Sequence, residues 1–176
     1  MDADESPNTA CTEYRDVTSH LEMTSGTGDR IGPPAPRPCR SCPYRRDVPA
    51  GIWDHAEYEK LRRYDADTGV QPAALFQCHQ HDGDGPARRL CAGWIGCHQP
   101  HLLAVRLAAL DGRISLATAA ACEHYHSPVP LFATGGQAAD HGQSGITAPD
   151  ERARHHIAKI IARRSDLTGL HQAAER

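Results

Sequence analysis

Four cysteines at three places in the chain could hold one metal centre. Cys39 and Cys42 form a Cys-x-x-Cys pair inside the string Pro-Cys-Arg-Ser-Cys-Pro, and Cys78 and Cys91 follow downstream. A two-residue gap lets both thiolates of a tight turn point at one ion, while backbone N–H groups hydrogen-bond the sulfurs. A tetrahedral zinc site or a cubane cluster needs two more soft ligands. The sequence therefore predicts one metal site with four ligands: Cys39, Cys42, Cys78 and Cys91.

The spacing leaves the metal open between zinc and a four-iron iron–sulfur cluster. Twelve residues separate Cys78 from Cys91, so the second close pair of a zinc ribbon is missing. A cysteine followed by proline, as in Cys42-Pro43, occurs in ferredoxin-type runs. Zinc needs no assembly machinery, so we expect a zinc ion, with the iron–sulfur cluster as the alternative.

Neighbouring side chains are candidates for supporting roles. His79 is expected to hydrogen-bond a ligand or to be a surface histidine. Cys97 and His98 are alternative ligands, because a Cys-x5-Cys spacing can also bracket a metal. Gly93 and Gly96 would let the backbone come close to the metal or cluster.

A second site is a weaker hypothesis. Cys122, His124 and His126 would share one face of an extended strand and could bind another ion. The chain contains twelve histidines, so coincidence is the simpler explanation.

Other interpretations of the cysteines fit the sequence less well. A thioredoxin-type redox pair should follow a strand and open a helix, whereas prolines precede and follow this one. Ordinary buried thiols would not cluster beside Arg, His and Gln. An enzyme with an open zinc position is disfavoured because four thiolates close the coordination sphere. The chain also has no Ser-His-Asp order, HExxH motif or Walker loop.

Composition and charge limit the partners. The net charge is −3, which does not support general coating of nucleic acid. Arginines pair at 45–46, 62–63 and 88–89. These pairs could contact phosphate or a protein partner, although balancing the thiolates' charge is the more economical role. Without an apolar run of eighteen residues or a basic, apolar start, we expect no membrane span and a cytoplasmic protein with reduced thiols.

Changes in composition suggest four parts. Residues 1–36 read as a disordered, Pro-rich leader, in which seven acids outnumber two arginines over the first thirty positions. Residues 37–126 form the cysteine-rich metal-binding domain. Residues 127–146 are rich in Pro and Gly and read as a linker. Residues 147–176 read as a C-terminal helix that docks on the core or binds a partner, and docking is favoured.

Apolar periodicity and caps predict few helices. Asp54 and Glu57 fit a capping box that opens a helix over 54–64, and a second helix is expected over 101–110. A third begins near Pro149, with Ala153, Ile157 and Ile160 on its apolar stripe. The predicted fold is a small α+β or irregular metal-stapled domain with two to three helices and a disordered N-terminal leader.

The assembled motifs resemble a domain family of unknown function from high-GC Gram-positive bacteria and their phages. The resemblance covers about residues 37–112 and rests on three strings: Pro-Cys-Arg-Ser-Cys-Pro at 38–43, Phe-Gln-Cys-His-Gln at 76–80 and Cys-Ala-Gly-Trp at 91–94. It implies a shared polar set of Cys39, Cys42, Cys78, His79 and Cys91, and no settled activity. A weaker likeness is to the WhiB-like iron–sulfur regulators, through Cys-x-x-Cys-Pro and the later Gly-Ile-Trp at 51–53.

A pair of cysteine substitutions tests the predicted site. Cys39→Ser should unfold the domain or abolish metal retention, because it removes one of four thiolates. Cys11→Ser, in the predicted leader, should change neither. Metal content per chain, measured on both variants, checks the expectation, and equal metal content would contradict the ligand assignment.

Overall fold

The structure is a computed structural model that describes residues 31–81, 87–100 and 102–163, and these ranges are mostly helical. It has six α-helices: α1 His55–Arg62, α2 Ala92–His98, α3 Leu103–Leu110, α4 Leu116–Glu123, α5 Gly135–Gln143 and α6 Glu151–Arg163. Two short 3-10 helices, Arg63–Asp65 and Thr68–Val70, follow α1. Pairing of extended segments is limited, in the described ranges, to three isolated bridges. The predicted number of two to three helices is therefore wrong, and the predicted leader lies outside the described residues over positions 1–30.

The helices that the sequence predicts are confirmed, with small shifts at their ends. Asp54 caps α1, since its Oδ1 accepts a hydrogen bond from the Glu57 N–H at 3.0 Å. The helix expected over 101–110 is α3, and the terminal helix is α6. Asp150 Oδ1 accepts from the Ala153 N–H at 2.6 Å and so satisfies a donor of the first turn of α6.

Three helices, α2, α4 and α5, lie where the sequence did not predict them. Ser115 caps α4 by accepting from the Thr118 N–H. Helix α5 occupies the second half of 127–146, so a loop throughout that range is wrong. Its buried face is made of small residues, namely Gly135, Ala138, Ala139 and Gly142, and small residues leave no apolar periodicity to detect.

The small face of α5 lets it approach α1 closely. A Cβ atom at Gly142 would lie 1.9 Å from the Tyr58 ring, and one at Gly135 would lie 2.1 Å from the Leu61 carbonyl oxygen. Because the side chain of glycine is a hydrogen atom, the backbones of the two helices come into contact. Dispersion contacts between backbone and side-chain atoms then take the place of the contacts between large side chains in an ordinary interface. The first helix is thus held between α5 and the rest of the core.

Several of the few aromatic residues of the chain pack together in the core. Trp94 and Tyr44 are fully buried. Tyr64 packs edge-to-face on Trp94 with ring centroids 5.2 Å apart, and Phe76 packs edge-to-face on Tyr44 at 6.0 Å. Such pairs add about 0.5–1.5 kcal/mol beyond their burial, which helps a domain with few large side chains.

Helix α6 docks on the loop before α1, as the sequence favours. Ala153 and Ile160 form a second apolar cluster with Val48 and Ile52. Arg152 Nη2 also donates to the Asp47 carbonyl oxygen at 3.3 Å. The described helices include none that is long and apolar enough to cross a bilayer.

Asp65 caps α5 from a distance of seventy residues along the chain. Its Oδ1 accepts from the Gly135 N–H at 2.7 Å, and its Oδ2 accepts from the Gly136 N–H at 2.6 Å. A carboxylate on the first N–H groups of a helix also interacts favourably with the helix dipole. The capping bonds tie the end of the α1 region to α5.

We predict that Asp65→Ala lowers the free energy of unfolding by about 1–2 kcal/mol, because two N–H groups lose their acceptor. Asp67→Ala is the matched control, since Asp67 is exposed and its side chain makes no capping hydrogen bond. Its effect should stay within about 0.5 kcal/mol. Urea denaturation followed by circular dichroism measures both, and equal losses would contradict the capping role.

Candidate metal centre

The Cys-x-x-Cys pair lies in a tight turn. The Cys42 N–H donates to the Cys39 carbonyl oxygen at 3.2 Å, and the Arg45 N–H donates to the Cys42 carbonyl oxygen at 3.1 Å. These successive bonds curl the loop so that Cys42 is fully buried while Cys39 remains half-buried. One thiol therefore faces the core and the other lies near the surface.

The two downstream cysteines lie on paired extended segments. Gln77 and Leu90 form an antiparallel bridge. Around it, the Cys78 N–H donates to the Arg89 carbonyl oxygen at 2.9 Å, and the Cys91 N–H donates to the Phe76 carbonyl oxygen at 2.9 Å. Cys91 directly precedes α2. This short pairing brings Cys78 and Cys91 together across a gap that the sequence leaves unexplained.

The four cysteines meet in one buried cluster. The Cys42 and Cys91 sulfurs lie 3.9 Å apart. Cys39 hydrogen-bonds both Cys42 and Cys78. The contacts thus run from Cys78 through Cys39 and Cys42 to Cys91. Among the described residues, no group of three or more His, Cys, Asp or Glu side chains is arranged around a common centre as a finished metal site.

The cluster holds its negative charge on Cys39. Hydrogen bonds from Cys42 and Cys78, and from His79, hold the pKa of the Cys39 thiol well below its ordinary value. The same bond to Cys39, followed by the contact with Cys91 and burial, raises the pKa of Cys42. The bond to Cys39 is also the largest cause that raises the pKa of Cys78, with burial second. These contacts favour the deprotonated form of Cys39 over that of its neighbours.

His79 and Trp53 close the outer side of the cluster. The His79 Nε2 atom lies 3.0 Å from the Cys39 sulfur and 3.1 Å from the Ser41 hydroxyl oxygen. The Trp53 ring packs edge-to-face on the His79 ring, with centroids 4.6 Å apart. Trp53 Nε1 donates to the Ser41 carbonyl oxygen at 3.0 Å. The hydrogen bond expected of His79 to a cysteine is therefore present.

Arg45 stabilises the Cys-x-x-Cys loop through hydrogen bonds to backbone carbonyl oxygens. Its side chain is buried, and its Nη1 donates to the carbonyl oxygens of Pro38 at 3.2 Å and Cys39 at 3.4 Å. Its Nε donates to Asp47 Oδ1 at 2.8 Å. The hydrogen bond to Asp47 is the largest cause that raises the pKa of Arg45, and the charges of Cys42 and Cys39 also raise it. Arg45 thus pairs with Asp47 and holds the backbone of the cysteine loop.

Gly93 leaves the space that the Cys42 sulfur occupies. A Cβ atom at Gly93 would lie 2.2 Å from the Cys42 sulfur and 3.0 Å from the Tyr44 Cβ. Only a glycine in the first turn of α2 lets the loop pack this closely. Gly96 lies elsewhere, against the side chains of Leu131 and Tyr125.

The alternative ligands do not join the cluster. The Cys97 sulfur donates to the Phe132 carbonyl oxygen at 3.4 Å, and burial raises its pKa to about 12. The His98 ring packs edge-to-face on Tyr44, and its Nδ1 lies 3.5 Å from Asp65 Oδ1. Within the described residues, His98 Nε2 is buried without a hydrogen-bond partner. The family resemblance, whose shared polar set includes Cys91 but neither Cys97 nor His98, implies the same preference.

The strand expected for Cys122, His124 and His126 is wrong. Cys122 lies in α4 and is buried, and burial raises its pKa to about 12. His124 follows the end of α4, and both histidines are exposed. His126 Nδ1 contacts the His124 carbonyl oxygen at 2.9 Å instead of an ion-binding partner.

We predict that Gly93→Ala lowers the free energy of unfolding by about 1–3 kcal/mol, because the new methyl group overlaps the Cys42 sulfur. Gly69→Ala is the control, since a Cβ atom there would meet nothing within 4 Å. That variant should match the parent or gain a few tenths of a kcal/mol. Urea denaturation of the three proteins checks the difference. An unchanged Gly93→Ala protein would contradict the close packing of loop and helix.

Comparison with known proteins gives the chain a family and no activity. Neither the curated proteins nor the solved structures contain a match to it. A model of a family of unknown function, DUF6283, matches residues 34–164, a range that includes the cysteine cluster and all six helices. Because this match spans well over half of the sequence, the chain belongs to the DUF6283 family.

Proposed function

We propose that the protein is a metal-binding module in which Cys39, Cys42, Cys78 and Cys91 hold one zinc ion, and that it acts as a binding or regulatory protein. The observation that carries the proposal is the meeting of four thiols from three distant segments in one buried cluster. Free cysteines are often buried singly as small apolar groups. Four thiols linked by a chain of contacts need a further reason.

The distance between sulfurs supports zinc. A tetrahedral zinc–thiolate site with bonds of about 2.3 Å keeps neighbouring sulfurs about 3.8 Å apart. The Cys42 and Cys91 sulfurs lie 3.9 Å apart. A four-iron cluster places each thiolate on a different iron atom and keeps the sulfurs further apart. Zinc binding would require the thiols to turn from their chain of contacts toward a common centre.

The position of the cysteines supports a structural role. They link the loop at 39–42, the extended segment at Cys78 and the start of α2 at Cys91. The pairing between these extended segments amounts to isolated bridges. A bond through one ion would add the cross-links that so few backbone hydrogen bonds cannot supply, and metal binding and folding would become one equilibrium.

Four thiolates also favour a binding protein over an enzyme. They fill the coordination sphere of zinc and leave no position for a reacting water or substrate. His79 would then orient the Cys39 sulfur by its hydrogen bond rather than serve as a ligand.

The second candidate is an iron–sulfur redox or sensor protein of the WhiB-like type. The half-buried position of Cys39 favours it, because a sensor cluster must be reached by an oxidant or a partner. Cys42 is followed by proline, as in ferredoxin-type cluster sequences. A cluster sensor would change state at the site, whereas a zinc module would not.

Metal and acid-labile sulfide analysis tests the proposal. The protein is purified without oxygen and without a metal-binding tag, and its visible absorption is recorded. We expect a colourless protein with about one zinc per chain. A brown protein with iron and sulfide would replace the zinc proposal with the cluster sensor. Neither metal would overturn both.

A pair of variants tests the ligand set. Cys78→Ser should lose the metal, because its thiol is in the cluster. Cys97→Ser should retain it, because that thiol contacts the Phe132 carbonyl oxygen. Metal content is measured after gel filtration. Metal loss in Cys97→Ser with retention in Cys78→Ser would contradict the assignment.

A further inference from the structure

A cleft of about 1090 Å³ lies between the Cys-x-x-Cys loop and helix α6. One wall is the loop from Arg37 to Ser41. The opposite wall is the face of α6 that carries Arg152, His155, His156 and Lys159. No sequence pattern links these residues, because more than a hundred positions separate the two walls.

The cleft carries a concentrated positive charge. Among the described residues, five Arg or Lys side chains and one carboxylate line it. The five basic residues are Arg37, Arg40, Arg45, Arg152 and Lys159. The carboxylate, Asp47, already pairs with Arg45. None of the other four forms a salt bridge with a carboxylate of the described residues. In a chain of net charge −3, four basic side chains on one concave surface, without a carboxylate partner among the described residues, favour an anionic ligand.

The cysteine cluster cannot supply all of that anion. Zinc or a four-iron cluster with four thiolates carries about two negative charges. The Arg and Lys side chains exceed Asp47 by about four positive charges. A surplus of about two positive charges remains among the described residues. The positive charges on α6 also lie on the wall of the cleft opposite the cysteine loop.

We propose that this cleft binds a small ligand that carries several phosphate groups. Arg45 is already bonded to Asp47, and three of the other four basic side chains are arginines, whose planar guanidinium groups match phosphate oxygens in two-point hydrogen bonds. The Ser41 hydroxyl and the imidazoles of His79 and His155 add further hydrogen-bonding groups to the walls. The ligand class is a polyphosphate, either free or attached to a nucleoside.

The shape of the site favours a small molecule over a nucleic acid. Its volume of about 1090 Å³ is close to the upper end of ordinary small-molecule clefts. A protein that tracks a nucleic-acid backbone instead presents a basic stripe on a basic domain. Among the described residues, the large aliphatic side chains in the walls are Val48 and Ile160, so an apolar peptide has little to bind.

The test is calorimetric titration of the full chain with inorganic tripolyphosphate and, separately, with ATP at constant ionic strength. We expect saturable binding of tripolyphosphate. Lys159→Glu should weaken it about tenfold or more, because it replaces a cation of the cleft by an anion. Similar affinities for the two probes identify phosphate groups alone as the ligand, and tighter ATP binding adds the nucleoside.

The matched control is Arg154→Glu. Arg154 lies on the same helix, is exposed and does not line the cleft. It makes the same change in net charge, so it corrects for general electrostatic attraction. Its affinity for tripolyphosphate should stay within about twofold of the parent. Circular dichroism melting of both variants shows whether the fold is kept, and Arg40→Gln provides a second variant on the opposite wall.

Three results would overturn the proposal: no saturable tripolyphosphate binding, equal weakening by Lys159→Glu and Arg154→Glu, or tighter binding of a single-stranded oligonucleotide than of either probe. The cleft proposal also fails independently of the metal proposal. Loss of phosphate binding leaves the metal content unchanged. A metal-free protein that still binds tripolyphosphate would contradict only the zinc site.

Discussion

Burial of four thiols in contact with one another is the constraint on which the rest of this structure depends. Negative charge on any one of them must be stabilised inside the protein, where an uncompensated charge is expensive. The structure meets this demand from several directions. Neighbouring thiols and His79 hydrogen-bond the Cys39 sulfur, and the Arg45 guanidinium lies beneath the loop carbonyl oxygens.

Each of these groups is held in turn by further contacts. Trp53 packs on His79, Asp47 pairs with Arg45, and Tyr58 accepts hydrogen bonds from the Ile52 and Trp53 N–H groups. The positions of α1 and of the loop before it follow from these contacts.

Close approach of elements at glycines is the second feature on which the fold depends. A chain with few large side chains cannot fill wide gaps, so its elements come together at glycines. Gly93 admits the Cys42 sulfur, and Gly142 admits the Tyr58 ring. Gly51, at φ 78°, lies in the left-handed region and brings its N–H within 2.8 Å of the Gly142 carbonyl oxygen. The loop before α1 is thus fixed at one end by α5 and at the other by the cysteine cluster.

Sequence reasoning predicts the helices of this fold that carry large apolar residues at helical spacing. Helix α1 also has Asp54 at its start, and α6 has Ala153, Ile157 and Ile160 on one face, so both are predictable. Helix α5 is not, because its buried face is Gly and Ala, and its local cap at Thr134 is not accompanied by an apolar stripe. The Cys-x-x-Cys pair is recognisable from spacing alone. The choice of Cys91 over Cys97 is not, because it depends on the pairing of residues 76–78 with 89–91 and on the direction in which α2 turns the second thiol.

The loop at 37–42 links the two proposals physically. Its inner side carries Cys42 and the half-buried Cys39, while its outer side carries Arg37 and Arg40 into the cleft. Cys39 and His79 belong to both surfaces. A metal held by these thiols would fix the loop, and with it the spacing between the loop arginines and those of α6. Because a multivalent anion gains most when its cationic partners are already in place, metal occupancy would raise phosphate affinity without any metal–ligand bond. The converse holds by linkage, since whatever the metal adds to anion affinity the anion adds to metal affinity.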